Sequence, residues 1–224
     1  MIEMDVTLTF ETPLNIGSGA QHGTFADRAM IKTRDGWPYV PASAFKGRLR
    51  HAVERIAHAQ GLSDCVTHRH TCRPEQGEPC PVCRVFGSPW VTGRLRFVRL
   101  VLVGPADVVA GLEELKRQQR VVRTQLRYGV ALSRRRQVSE EKLLYTTELF
   151  EPGRRLAFNG TLHGQLSRSE AALVVAGLRL MPALGRGKSG GLGWLSTGVE
   201  VREDEEVLDE ATLQQALMEW EGAR

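Results

Sequence analysis

Apolar residues take every second position at the start of the chain. Ile2, Met4, Val6, Leu8 and Phe10 fall on one side, and Glu3, Asp5, Thr7 and Thr9 on the other. That period predicts a half-buried strand over Ile2–Phe10. Pro13, Gly17, Gly19 and Gly23 break it. A short strand is expected over 29–31, closed by an Arg34-Asp35-Gly36 turn. The period then lengthens. Phe45, Leu49, Ala52, Val53 and Ile56 make the stripe of an amphipathic helix over 44–60, with Ser43 as its N-cap and Gly61 at its C-terminal stop. Residues 62–92 carry no period and read as irregular. Alternation returns over 95–103, which reads as one long strand. A long excursion follows over 112–150, ending at a Pro-Gly turn. Strands over 155–163 and 193–201 flank a helix over 167–181, which Ser167 or Ser169 would cap. An amphipathic helix over 209–220 closes the chain.

Without the excursions the order is strand, helix, strand, strand, helix, strand. That is the ferredoxin-like, or RRM-like, frame that RNA-recognition domains also use. The expected class is α+β. A single palm spans 1–202, with insertions at about 62–92 and about 112–152, and an acidic tail occupies 203–224.

The formal net charge is only +4, but it is unevenly spread. Residues 116–136 contain Lys116, Arg117, Arg120, Arg123, Arg127, Arg134, Arg135 and Arg136 without one acid, whereas 203–210 read EDEEVLDE. A basic middle implies a polyanionic partner and the acidic tail a basic neighbour. No run approaches the roughly 18 apolar residues of a membrane span, and the N-terminus reads as a strand instead of a signal peptide, so the expected location is cytoplasmic, with no membrane partner.

All four cysteines, Cys65, Cys72, Cys80 and Cys83, lie close together in the chain. Cys80 and Cys83 form a C-x2-C knuckle, and Cys72 and His70 stand just upstream in HTCRPEQGEPCPVC. His70, Cys72, Cys80 and Cys83 are the expected ligands of a structural Zn2+, with His68 and Cys65 as alternatives for the fourth position.

The segment ALGRGKSGGLGW contains Gly-Lys-Ser, but the opening glycine of a P-loop would fall at Pro182. Its glycines bracket Arg186 and Lys188. Gly185, Arg186, Gly187, Lys188 and Ser189 therefore read as a cradle for backbone phosphates and not for a nucleoside triphosphate. A second phosphate grip is expected at the start of the first helix. There Lys46 and Arg50 share a face, Arg48 lies nearby, and Ser43 adds a hydroxyl and free N–H groups. Such contacts carry no sequence information.

Three stretches together, TPLNIGSG with PYVPASAFKGRLRHAVE, then CPVCRVFG, then ALGRGKSGGLGW, resemble the RAMP superfamily of RNA-binding CRISPR proteins. The chain most resembles the zinc-containing backbone subunit of the Csm-type, type III effector complex. The resemblance runs from about residue 1 to about residue 196. It implies a zinc-bearing insertion and a thumb hairpin that reaches over a neighbouring copy. It also implies binding of CRISPR guide RNA, contact with other effector subunits, and Mg2+- or Mn2+-dependent cutting of complementary target RNA. The residue matching the family's cutting carboxylate is Asp27. Asp35, in its turn, reads as structural. His22 is close to Asp27 in sequence. A catalytically inactive guide-binding subunit is the alternative expectation. In the basic excursion, Arg134, Arg135 and Arg136 are expected to touch RNA, and Leu132, Val138, Leu143, Leu144 and Tyr145 either wedge against the duplex or pack on a neighbour.

Overall fold

The computed structural model describes residues 1–17, 26–63, 65, 71–73, 75, 77–118, 124–133, 135–151 and 155–222. Nine residues, Ile2–Phe10, form β1, and their alternation is the observed burial pattern. Ile2, Met4, Val6 and Leu8 are completely buried, and Phe10 meets Phe158 edge-to-face at 5.5 Å. β1 is the middle of an antiparallel sheet whose other members are β2 (Tyr39–Val40), β3 (Leu95–Arg96), β4 (Leu100–Gly104), β7 (Leu156–Gly164), β8 (Leu195–Glu203) and β9 (Glu206–Leu208). Their order is β2-β4-β7-β1-β8-β9, with β3 also paired to β7. The remaining strands, β5 (Gln125–Leu132) and β6 (Ser139–Leu149), make a separate antiparallel hairpin.

Two helices pack on the sheet's apolar side and on each other, α1 (Ala42–Ala59) and α4 (Arg168–Arg179). Their closest approach uses Gly177, where a Cβ would stand 2.3 Å from Val53 Cγ2. Any larger residue there must displace Val53 or shift the helices. Ser167 caps α4 in a full capping box with Glu170.

Several elements depart from the sequence reading. Pro41 and not Ser43 is the N-cap of α1: the Phe45 N–H donates to Pro41 O at 3.1 Å, and Ser43 is already helical. Proline presets the backbone angle a helix entry needs. The single strand expected over 95–103 is two strands, β3 and β4, lying along β7 with a slipped register. The break lets Phe97 reach the core, 5.8 Å from the Phe45 ring and 5.9 Å from the Phe86 ring. Residues 62–92 contain a short helix, α2 (Pro81–Phe86), whose Val82, Val85 and Phe86 are buried. The segment after β4 is also helical, as α3 (Ala106–Arg117). The acidic segment joins the main body: β9 pairs with β8, and α5 (Glu210–Gly222) lays Leu213 and Ala216 against α4. Among the described residues no helix is long and apolar enough to cross a membrane.

Candidate nucleic-acid interface and metal centre

At one end of α1 the sulfur atoms of Cys65, Cys72, Cys80 and Cys83 all lie within 4.8 Å of one another. None is in a disulfide; the Cys65 and Cys72 sulfurs are 3.3 Å apart. A tetrahedron with Zn–S bonds of about 2.3 Å has edges of about 3.8 Å, so the donor set fits the ion. Local hydrogen bonds shape the cluster. The Cys80 N–H donates to Cys72 Sγ at 3.2 Å, and the Ser63 hydroxyl donates to Cys80 Sγ at 3.1 Å. The hydrogen bond from Cys83, helped by Ser63, lowers the Cys80 thiol to about 4. Donating that bond, and burial, push Cys83 up; burial and its bond to Cys72 push Cys65 up to about 11. A bound dication would favour the thiolate form of its cysteine ligands. Cys65, an alternative in the sequence reading, stands with Cys72, Cys80 and Cys83. His68 and His70 lie outside the described residues.

The glycine-rich loop meets α1 through Arg48. It is pinned by backbone bonds from the Gly193 N–H to Pro13 O and from the Arg186 N–H to Asn15 O, both 2.9 Å. Gly185 has φ of +99°, and a Cβ there would be 2.5 Å from Asn15 O, so only glycine fits this approach. Gly187 and Gly191, both left-handed, bound a single turn at Lys188–Gly190. Arg48 reaches this loop and donates from Nε to Ala183 O at 3.1 Å. Burial, then the Arg48 charge, lower the Lys188 pKa. Arg186 and Ser189 are exposed, and Arg127 arrives from β5, 3.5 Å from Gly190 O. Among the described residues none of Arg48, Arg127, Arg186 and Lys188 has a carboxylate partner within 4 Å.

The expected grip by Lys46 and Arg50 is divided differently. Arg50 is 12% exposed and is held by Glu54 at 2.8 Å and by Gly87 O at 2.5 Å. It fastens the loop after α2 to α1. Lys46 lies beside a pocket of about 450 Å3 that Thr71, Ser88 and Thr92 also line. Burial, then Arg50, make its ammonium less stable than usual. Ser43 is exposed on the first turn of α1. Arg135 and Arg136 are exposed in the turn joining β5 to β6, whereas Arg134 is outside the described residues.

Asp27 is exposed, and its Oδ2 accepts from the Thr146 N–H at 2.7 Å and from the Thr146 hydroxyl at 3.0 Å. These bonds, backbone first, hold its carboxyl below the usual range. Asp35 pairs with Lys116 at 2.9 Å. His22 is outside the described residues.

Sequence reasoning did not single out Arg127, Arg28 or Glu148 as site residues. The Arg28 guanidinium lies 3.8 Å over the Tyr145 ring. Glu148, 3% exposed, accepts from Lys32 and Thr124, both at 2.5 Å, and from the Met30 N–H at 2.9 Å. Burial raises the Glu148 pKa, but these bonds outweigh it and the net shift is downward. An acid inside the apolar strand LLYTTELF was the available signal, because a buried charge demands partners.

Compared with known families, residues 7–196 match the family model described as the RAMP superfamily. The match takes in the second half of β1, the cysteine cluster and the glycine-rich loop. No curated protein matches the chain.

Proposed function

The chain belongs to the RAMP superfamily, whose members are CRISPR-associated RNA-binding proteins, and on that premise we propose that it is a guide-RNA-binding backbone subunit of a type III effector complex that cuts complementary RNA. The observation that carries the reading is the convergence of Arg48, Arg127, Arg186 and Lys188 on a glycine loop, without carboxylate partners among the described residues. Unneutralised cations beside glycine backbone suit a phosphate chain and ignore base identity. That suits a protein that must accept any guide, with sequence read by base pairing. The strand order β4-β7-β1-β8, with α1 and α4 on one side, supports a ferredoxin-like palm. The β5–β6 hairpin is the thumb in this reading. Its Arg135 and Arg136 face a further stretch of RNA or a neighbouring copy.

Cys65, Cys72, Cys80 and Cys83 would hold the structural zinc, with four thiolates completing a closed shell. Zinc there pins polar loops and has no open position for catalysis.

For cutting, Asp27 is the acting residue. Its carboxylate is held anionic, which suits orienting a 2′-hydroxyl and holding a Mg2+ or Mn2+ ion better than taking a proton. Such an ion would neutralise charge on the phosphate. The target's 2′-oxygen attacks the adjacent phosphorus and the bond to the 5′-oxygen breaks. Water receives the 2′ proton and supplies one to the leaving oxygen.

The test is cutting of complementary RNA by the assembled complex. Asp27→Asn should remove cutting while guide and zinc remain bound, and DNA of the same sequence should stay intact for want of the 2′-hydroxyl. Wild-type complex that binds target but never cuts it with either metal would establish the inactive alternative.

A further inference from the structure

Asp27 is not positioned by its own loop alone. Residues 27–30 run alongside β6. The Arg28 N–H donates to Thr146 O at 3.0 Å, and the Glu148 N–H donates to Arg28 O at 3.1 Å. Asn15, completely buried, ties the same two elements, donating from Nδ2 to Arg28 O at 3.1 Å and to Glu148 O at 2.6 Å. Glu148 closes the far end through Met30 and Lys32. Within this frame Thr146 and Asp27 form a reciprocal clamp. The Asp27 N–H donates to the Thr146 hydroxyl at 3.1 Å, and Thr146 returns two bonds, both to Oδ2. Neither Thr146 bond uses Oδ1; besides Thr146, the Asp27 backbone N–H also acts on the carboxyl.

We infer that Thr146, at the root of the hairpin, is a positioning residue for cutting: it fixes Asp27 through Oδ2 and leaves Oδ1 to the RNA and its metal ion. The inference rests on Asp27 being the cutting carboxylate. It makes the hairpin part of the cutting apparatus as well as a surface. Movement of β6 would carry Asp27 with it, because the clamp, the Arg28 bonds and the Glu148 bonds all lie on β6. The Thr146 backbone N–H supplies one bond whatever the side chain, so only the hydroxyl's share can be removed by substitution. Among the described residues, the charged groups on the two elements of the clamp include Arg28, which lies over Tyr145, and the Lys32–Glu148 pair, bonded to each other. Of these, only Arg28 acts on Asp27, and it acts in the same direction as the clamp.

Thr146→Val removes the hydroxyl at nearly constant shape, Thr146→Ala removes it without adding a methyl, and Thr146→Ser keeps it. Two readouts separate positioning from a structural role: titration of the Asp27 carboxyl by carbon NMR in the full chain, and the pH profile of cutting in the assembled complex. The valine chain should titrate Asp27 at higher pH. Its cutting should fall about ten- to a hundredfold, as small misplacements do. The acid limb should move upward, because a carboxylate that loses a donor protonates more readily. Serine should restore both, and guide binding should be unchanged. If valine costs zinc or guide binding, the alanine chain decides. Asp27→Asn dead with Thr146→Val or Thr146→Ala unaltered in both readouts would overturn this inference alone. Asp27→Asn cutting at the wild-type rate would overturn the Asp27 reading and the inference together.

Discussion

The cysteine cluster and the glycine-rich loop flank the same helix, yet they spend their polar groups in opposite ways. At the cluster, four sulfurs turn toward one another, and Ser63 and the Cys80 N–H complete the set. At the loop, Arg48 and Arg127 donate to backbone carbonyls and stand with Arg186 and Lys188, with no acids among the described residues. Polar groups facing inward make a site that completes a fold. Like charges held together without compensation make a site that waits for a partner, since the fold gains nothing from their mutual repulsion. Arg50 belongs to the first kind although its sequence position suggested the second.

Disrupting the cysteine cluster should have the largest effect on the fold. Purified chain should contain about one zinc by elemental analysis. Cys83→Ser, or chelation, should lower the melting temperature by about 10 °C, corresponding to roughly 3–5 kcal/mol at this chain length. An unchanged melting temperature in metal-free protein would remove the structural zinc.

A smaller effect is expected at Arg50. Arg50→Ala leaves Glu54 nearly buried with its 2.8 Å ion pair gone. The cost should be about 2 kcal/mol, below the range for fully buried pairs, and the melting temperature should fall by about 5 °C. Guide affinity per folded molecule should hardly change. A large loss of affinity without loss of stability would return Arg50 to the RNA-binding set.

Much of the palm was legible because its signals are local. Period-two alternation marked β1, and a serine at 167 or 169 marked the start of α4, where the structure uses Ser167 in a capping box with Glu170. The break between β3 and β4 was not legible, since it depends on Phe97 finding Phe45 and Phe86 across the core. α2 was hidden because a helix of six residues is too short to show a period. The interface divides in the same way. Arg186 and Lys188 announce themselves between glycines, whereas Arg127 and Thr146 matter only because the hairpin folds back against the loop and Asp27. Spacing along α1 grouped Lys46 with Arg50, but the loop at Gly87 claims Arg50 and leaves Lys46 at a pocket.

The smallest effect on stability should accompany the most direct test of the central claim, that the open cluster grips RNA backbone. Arg186→Ala combined with Lys188→Ala should alter stability by no more than about 1 kcal/mol, since two surface sites each cost about 0.5 or less. Guide affinity should be measured against salt for two unrelated guide sequences. The account predicts equal weakening for both and a salt dependence flatter by about 0.7 for each phosphate that is no longer neutralised. Weakening confined to one sequence, or an unchanged salt slope, would contradict it.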